Sequence, residues 1–552
     1  MESVNSPVFN VASSGILTAE EPRTGADAAE LCGGVSYEVD VMSADQKRQF
    51  RWFIGLWIVA FTGFWWWWFD PAHLAGTWRF VINTAVLGWS VMIPAYFFFF
   101  VGRMKKPNPA LSLPANAGVA LVVTKAPSEP WALVQQTLEA ALSQDHPHDT
   151  WLADEDPSRE TITWCREHGV HISSRKNIPD YHRLTWPRRT RCKEGNLSYF
   201  YDHYGYENYD LVVQMDADHR PGINYLKEMI RPFANPRVGY VSAPSICDAN
   251  AQRSWAVRGR LFAEATTHGP LQAGYSAGFA PLCIGSHYAV RTCALREVGG
   301  LGPELAEDHS TTLLMNAAGW KGVHAFEADA RGEGPSTFND LVTQEFQWSK
   351  SLTRILLTLT PRYFGGLNFR LKFQFLFSQV WYVLLSLTML VGTLMPPLAV
   401  MTNRPWVTIA YPVYFAGIFA LTCTLMATLV WVRRNGWLRP VFPPLISWEA
   451  ILFHFVRWPW VLLGVLSAIV DVLTRREVET FRVTPKGKNM AGSIPIQALA
   501  PYGALALISG FPVLVMKDIS SVAGYGLLAS INSLIYASLL FVILCLHSRE
   551  NS

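Results

Sequence analysis

The sequence predicts an α/β domain inserted between transmembrane α-helices, and three observations predict it. Apolar runs of about twenty residues, enough to cross a hydrocarbon core of roughly 30 Å, stand on both sides of a long polar block. Within that block, residues 103–370, strand-like runs alternate with helical ones, the pattern of a parallel sheet flanked by helices. Two of the strand-like runs end on aspartates, Asp154 and Asp216, at the strand ends where open α/β sheets bind ligands.

Composition sets the outer limits. The 552 residues are 50% hydrophobic with 22 Trp, too apolar for an ordinary soluble protein, while the 16% of charged residues is too many for a chain that is membrane throughout. A net charge of +3 gives no reason to expect nucleic acid as a partner. The eight cysteines are scattered without a CxxC pair, which predicts free thiols in a reducing compartment. The N-terminus lacks a basic region followed by an apolar core, so residues 1–50 are expected to be a disordered cytoplasmic tail without a cleaved signal.

The first apolar runs, 52–69 and 80–101, make residues 51–102 a pair of transmembrane helices. The Trp65 to Trp68 block at the end of the first run suits the headgroup level. After the polar block come runs near 374–399, 406–432, 448–471, 497–516 and 522–546. Basic stretches at 102–106, 433–439 and 475–488 are expected on the cytoplasmic side. Full crossing by 448–471 would put the last of these outside, and that run also carries Glu449, His454 and Arg457. It is therefore expected to lie at the interface as an amphipathic helix. Six spanning helices follow, two before the block and four after, with both termini and the block cytoplasmic.

In "YDLVVQMDADHRP", Asp216 and Asp218 fall on one side of the chain if it stays extended. Two carboxylates about 4 Å apart repel by roughly 4 kcal/mol at an effective dielectric near 20. Either they sit in water on a loop, or a cation sits between them. A lone D-x-D in a chain of this length is ordinary and fits a solvated turn; the ordered series around it changes its weight. Downstream, "AEDH" puts Glu307 and Asp308 at the start of a helix, where an acidic pair is also favoured by the helix dipole. "QEFQWSKS" and "FRVTPKGK" follow.

This series resembles family 2 glycosyltransferases, and among them the membrane-embedded processive polysaccharide synthases similar to bacterial cellulose synthase and curdlan synthase. "TKAPSEP", "LADEDPS", "KEGNL", "DADHRP", "AEDH", "QEFQW" and "FRVTPK" resemble the family's T-x-N-E-P, D-D-G, K-A-G-N-L, D-A-D-H-V-P, T-E-D, Q-x-x-R-W and F-x-V-T-x-K segments in order. The resemblance implies a GT-A-type, Rossmann-like glycosyltransferase domain over 103–370. Channel helices over 371–546 would include the interfacial helix 448–471 and a gating loop at 475–490.

It also implies roles. Asp154 would contact the uracil or ribose of a nucleotide sugar, and Lys193, Asp216 and Asp218 would serve the donor, with the two DxD carboxylates on Mg²⁺ or Mn²⁺. Asp218 would be the direct metal ligand and Asp216 the diphosphate or sugar contact. Asp308 would be the general base, with Glu307 beside it holding geometry or the acceptor. Gln344 would touch acceptor or diphosphate, and Trp348 would be the platform for the acceptor's terminal sugar. Gln347 stands where the family has Arg, and an amide cannot give the bidentate, charge-assisted phosphate contact of a guanidinium. Lys350 and Arg354, one and two turns on, are the expected substitutes. Phe481, Val483, Thr484 and Lys486 would form a lid over the nucleotide. Trp381, Tyr382, Trp458 and Trp460 are candidates to line a channel for the glycan.

The expected activity is inverting polymerisation of a β-linked glucan from UDP-glucose at the inner membrane, with export through the chain's own helices. The expected partners are the nucleotide sugar, the growing glycan, the lipid bilayer and subunits for export or regulation. The alternatives are transfer of one sugar to a lipid, and a degenerate nucleotide-sugar-binding subunit.

Overall fold

The computed structural model describes residues 36–114, 116–476 and 494–551. Phe481, Val483, Thr484 and Lys486, the expected lid, and residues 1–35 of the expected tail lie outside the described residues. Residues 36–50 are already ordered into elements. Glu38–Asp40 pairs antiparallel with Lys105–Pro107, and the first helix starts at Ala44, behind a capping box in which Ser43 and Gln46 satisfy each other's backbone.

The polar block is built on seven strands, β1 Val119–Lys125, β2 Asp149–Asp154, β3 His171–Ser173, β4 Leu211–Asp216, β5 Val238–Ser242, β6 His287–Arg291 and β7 Lys321–His324. They lie in the order β7-β5-β6-β4-β1-β2-β3. The expected parallel sheet is in fact mixed: β1, β2, β3 and β4 run parallel, whereas β6 is antiparallel to both β4 and β5. β1 is buried along its whole length. Its alternate residues enter two cores, Val119, Leu121 and Val123 with Val134 and Leu138 on one face, Ala120 and Val122 with Leu197 and Phe200 on the other. A strand covered on both faces reads as an unbroken apolar run, as "VALVV" does.

The helices that carry the site and the apolar part of the chain are α1 Ala44–Trp68, α2 Thr77–Val101, α3 Lys193–Phe200, α4 Trp255–Ala263, α5 Glu307–Ala317, α6 Phe338–Arg354, α7 Phe369–Thr402, α8 Tyr411–Arg434, α9 Trp448–Leu473, α10 Ile496–Val515 and α11 Ala523–Asn551. Among the described residues six helices are long and apolar enough to cross a membrane. The count equals the expected one but the set differs. It includes α9 and omits α1, whose first turns, "ADQKRQFR", are mostly polar. α1 packs on α8 through Phe50 stacked against Trp431. The tryptophan block divides: Trp66 is exposed, whereas Trp68 is buried, stacked on Phe80 and donating to Thr84 Oγ1 at 2.9 Å.

α9 runs along the polar block. Glu449 near its start pairs with Arg258 of α4 at 2.9 Å, Arg457 with Glu345 of α6 at 3.3 Å, and Asp471 near its end with Lys350 of α6 at 2.8 Å. Gly464 permits the closest approach: a Cβ there would stand 2.5 Å from Phe346 O and 2.1 Å from Ser349 Oγ.

Candidate active site

The strand β4 stops at Asp216, and Ala217 and Asp218 form a turn. The expectation of two aspartates on one extended segment is corrected here, because the chain bends before Asp218. The bend nevertheless gathers the carboxylates. Asp216, Asp218 and the next residue, His219, offer ligand atoms that all lie within 4.8 Å of one another. The side chain of Asp218 is 1% exposed and that of Asp216 36%, so Asp218 is not a residue of a solvated turn. Asp218 Oδ2 accepts from the Glu333 backbone N–H at 2.9 Å, and its Oδ1 lies 3.3 Å from His219 Nδ1. Two hard oxygens and one imidazole suit a small divalent cation that also needs substrate oxygens to fill its shell. His219 was not anticipated as a site residue; its place directly after the D-x-D was the available signal.

α3 supplies the counter-charge. Asn196 Nδ2 donates to Ala153 O at 2.8 Å, which fastens this helix to the end of β2. Lys193, the first residue of α3, then donates from Nζ to Asp216 Oδ1 at 2.6 Å and to Gly285 O at 2.5 Å. Burial pulls this ammonium down, but Asp216, Glu307 and Asp308 outweigh it and hold Lys193 above the ordinary lysine range. The same lysine faces both the D-x-D and the acidic helix start.

That helix start is α5. Its first two residues, Glu307 and Asp308, are the expected pair. Asp308 Oδ1 accepts from the His309 backbone N–H at 2.7 Å, and its other oxygen abuts Gly285, where a Cβ would stand 3.2 Å from Oδ2. Desolvation raises Asp308 above the usual carboxylate range, against the pull of the His309 and Gly285 backbone and of Lys193. Glu307 is pushed up to about 8, first by burial and then by its neighbour Asp308. A base whose affinity for protons is raised toward the working pH is better placed to take a proton from a hydroxyl.

Asp154, the last residue of β2, has no exposed surface in this structure. Its carboxylate accepts from Lys125 Nζ at 3.2 Å and from the Asp156 N–H at 3.0 Å. It therefore anchors Lys125 at the carboxyl end of the sheet.

α6 carries the Q-x-x-x-W set. Thr337 caps its start. Gln344 Oε1 accepts from Arg260 Nη1 of α4 at 3.0 Å, and the Arg260 guanidinium lies 4.3 Å from the centre of the Trp348 ring. Gln347 Oε1 is buried without a hydrogen bond among the described residues. Lys350 and Arg354, expected to replace the missing arginine, are engaged elsewhere: Lys350 pairs with Asp471, and Arg354 with Glu304 at 3.6 Å and Asp471 at 4.0 Å. Arg260 was not anticipated; it lies in no motif, 84 residues before Gln344.

Of the residues expected to line a channel, Trp458 is 1% exposed and donates to Tyr536 OH at 3.0 Å, so it borders no open path here. Trp460 donates to Tyr502 OH at 3.1 Å. Trp381 packs against Trp89 and Phe377, and Tyr382 lies under Arg457.

The D-x-D at the end of β4 and the carboxylate pair that starts α5 thus meet around Lys193 in a mixed α/β domain. Residues 211–433 match the model of the glycosyl transferase family group 2. The chain is similar to the UDP-forming cellulose synthase catalytic subunit of Pseudomonas fluorescens (strain SBW25), 24% identical over 383 residues, covering 65% of this chain and 46% of that protein. It is also similar to the corresponding subunit of Xanthomonas axonopodis pv. citri (strain 306), 23% identical over 324 residues, covering 55% of this chain and 41% of that one. The chain spans less than half the length of these curated relatives. Among solved structures, a Pyrobaculum calidifontis mannosyltransferase in complex with GDP-Man and Mn²⁺ aligns over 84% of this chain and 99% of its own, at 15% identity and a TM-score of 0.38.

Proposed function

We propose that this protein is an inverting, divalent-metal-dependent glycosyltransferase of the inner membrane that extends a β-linked glucan from UDP-glucose and passes it outward among its own helices. The observation that carries this reading is the position of Lys193. Its ammonium ties the D-x-D carboxylate of Asp216 to the Gly285 backbone, and Gly285 in turn abuts Asp308. Donor ligands and the expected base thus share one crevice.

Asp216, Asp218 and His219 would hold Mg²⁺ or Mn²⁺, and the residues fit: their ligand atoms are already gathered. The cation would supply charge stabilisation for the departing diphosphate. Lys193 adds a second positive charge on the same side. Asp308 accepts the proton of the acceptor hydroxyl as that oxygen attacks the anomeric carbon from the face opposite the diphosphate, which inverts an α-linked donor to a β-linked product. Glu307, largely protonated near neutrality, holds the acceptor by hydrogen bonding without repelling Asp308. Trp348 offers the acceptor sugar a flat apolar face. With the block on the cytoplasmic side, the nucleotide sugar is met where it is made, and α9 lies at the interface.

The test is UDP release by the detergent-purified protein with Mg²⁺ or Mn²⁺, offering UDP-glucose, UDP-GlcNAc and UDP-galactose separately, with Asp308→Asn as the blank. Turnover of UDP-glucose to a long β-glucanase-sensitive product is expected. A singly glycosylated lipid, or silence with every donor, would overturn the polymerase reading.

A further inference from the structure

We propose that Arg260, carried by α4, supplies the donor-site positive charge that Gln347 cannot; this rests on the nucleotide-sugar reading of the same crevice. The need is electrostatic. A leaving diphosphate requires cations aimed at it, and in this motif helix the position that resembles an arginine site holds a neutral amide with a buried oxygen. The cations further along α6 are committed to Asp471 and Glu304.

Arg260 arrives from another helix at the same place. It reaches both flanking members of the motif, Gln344 through Nη1 at 3.0 Å and Trp348 through its ring face at 4.3 Å. The guanidinium therefore stands at the motif helix, over its tryptophan. Its orientation is fixed from behind. Nε donates to Glu264 Oε2 at 3.1 Å, one turn on in sequence, and Glu264 is further tied to His268 at 3.4 Å. Among the described residues Nη2 makes no hydrogen bond. A fork pinned at Nε and Nη1 with Nη2 left to donate is suited to a phosphate oxygen.

The experiment measures binding of UDP in the presence of Mn²⁺ by calorimetry, and the donor KM, on the full-length protein in detergent. Arg260→Gln is expected to weaken UDP binding by about 10- to 100-fold, the loss of one charge-assisted phosphate contact. Arg260→Lys should lose less, and Arg260→Gln combined with Gln347→Arg should recover most of the affinity, which a merely structural arginine would not allow. Gln347→Arg alone, which does not depend on the Arg260 variants folding, should gain little because the cation is already present. Unchanged UDP affinity in Arg260→Gln, no recovery in the double variant, or a tenfold gain from Gln347→Arg alone would each overturn the assignment. If the wild-type protein itself neither binds UDP nor consumes any donor, the nucleotide-sugar reading fails, and the role of Arg260 with it.

Discussion

Gly285→Ala places a methyl group against the expected base and tests whether Asp308 is one. The added Cβ would stand 3.2 Å from Asp308 Oδ2 and 3.6 Å from its Cγ, so carboxylate or loop must yield by a few tenths of an ångström. What yields is the contact between the Gly285 backbone and the charged form of Asp308. The bond from the His309 N–H at 2.7 Å survives. A hydrogen bond to a charged group contributes about 1.5–3 kcal/mol, and losing part of it while adding apolar surface costs the anion about 1–2 kcal/mol. At about 1.4 kcal/mol per unit, the Asp308 pKa rises by roughly one unit. The sign is definite. The base works ionised, so activity is full above its pKa and is lost as pH falls through it; raising that pKa moves the acid limb of the rate profile toward higher pH. Near the limb kcat falls up to about tenfold, whereas UDP affinity is unchanged, since the Gly285 carbonyl that accepts from Lys193 remains. The assay is UDP release against pH, with calorimetric UDP binding alongside. An acid limb that stays in place with an unreduced rate would refute the assignment of Asp308 as the base.

Two other substitutions probe the metal cluster and the helix junction. Asp218→Asn keeps the shape of a side chain that is 1% exposed but removes its charge; Mn²⁺ binding, followed by calorimetry, should weaken by at least about 100-fold, more than the typical loss of an outer-shell partner. Asp471→Asn removes the anion 2.8 Å from the buried Lys350 ammonium, at a cost of up to about 3–5 kcal/mol that should lower the melting temperature in detergent. Lys350→Met with Asp471→Leu should restore most of that loss, and an unshifted melting temperature in Asp471→Asn alone would show that the pair contributes nothing.

The parts of the site that were legible in the sequence are those whose signal is local. An unbroken apolar run ending on Asp216 announces a strand end, and Glu307 and Asp308 before a helical stretch announce a helix start; both lie where they were expected. The direction of β6 was not legible, because "HYAVR" is too short to distinguish a parallel from an antiparallel neighbour. The destinations of Lys350 and Arg354 were equally hidden. Helical spacing puts them within reach of the motif, but their partner Asp471 lies more than a hundred residues on, and no spacing rule joins the two. Arg260 shares this property: its meaning comes wholly from where α4 is packed.

That packing has one template. Burying an ion pair seldom adds net stability over an apolar contact of the same shape, so the three pairs along α9 are better explained by what they fix. One helical turn is about 5.4 Å of rise, and a slip of that size between α6 and α9 would part Arg457 from Glu345 and Lys350 from Asp471 together. The same helix holds α4 through Glu449 and Arg258. α9 therefore sets the register of both helices that meet at Trp348: α6, which bears the tryptophan, and α4, which bears the arginine over it. Its far end, at Asp471, leads within a few residues into the segment expected to close over the nucleotide. An apolar, membrane-compatible helix thus positions the polar groups of the crevice, and this gives a physical reason for the polar block and the long apolar helices to share one chain.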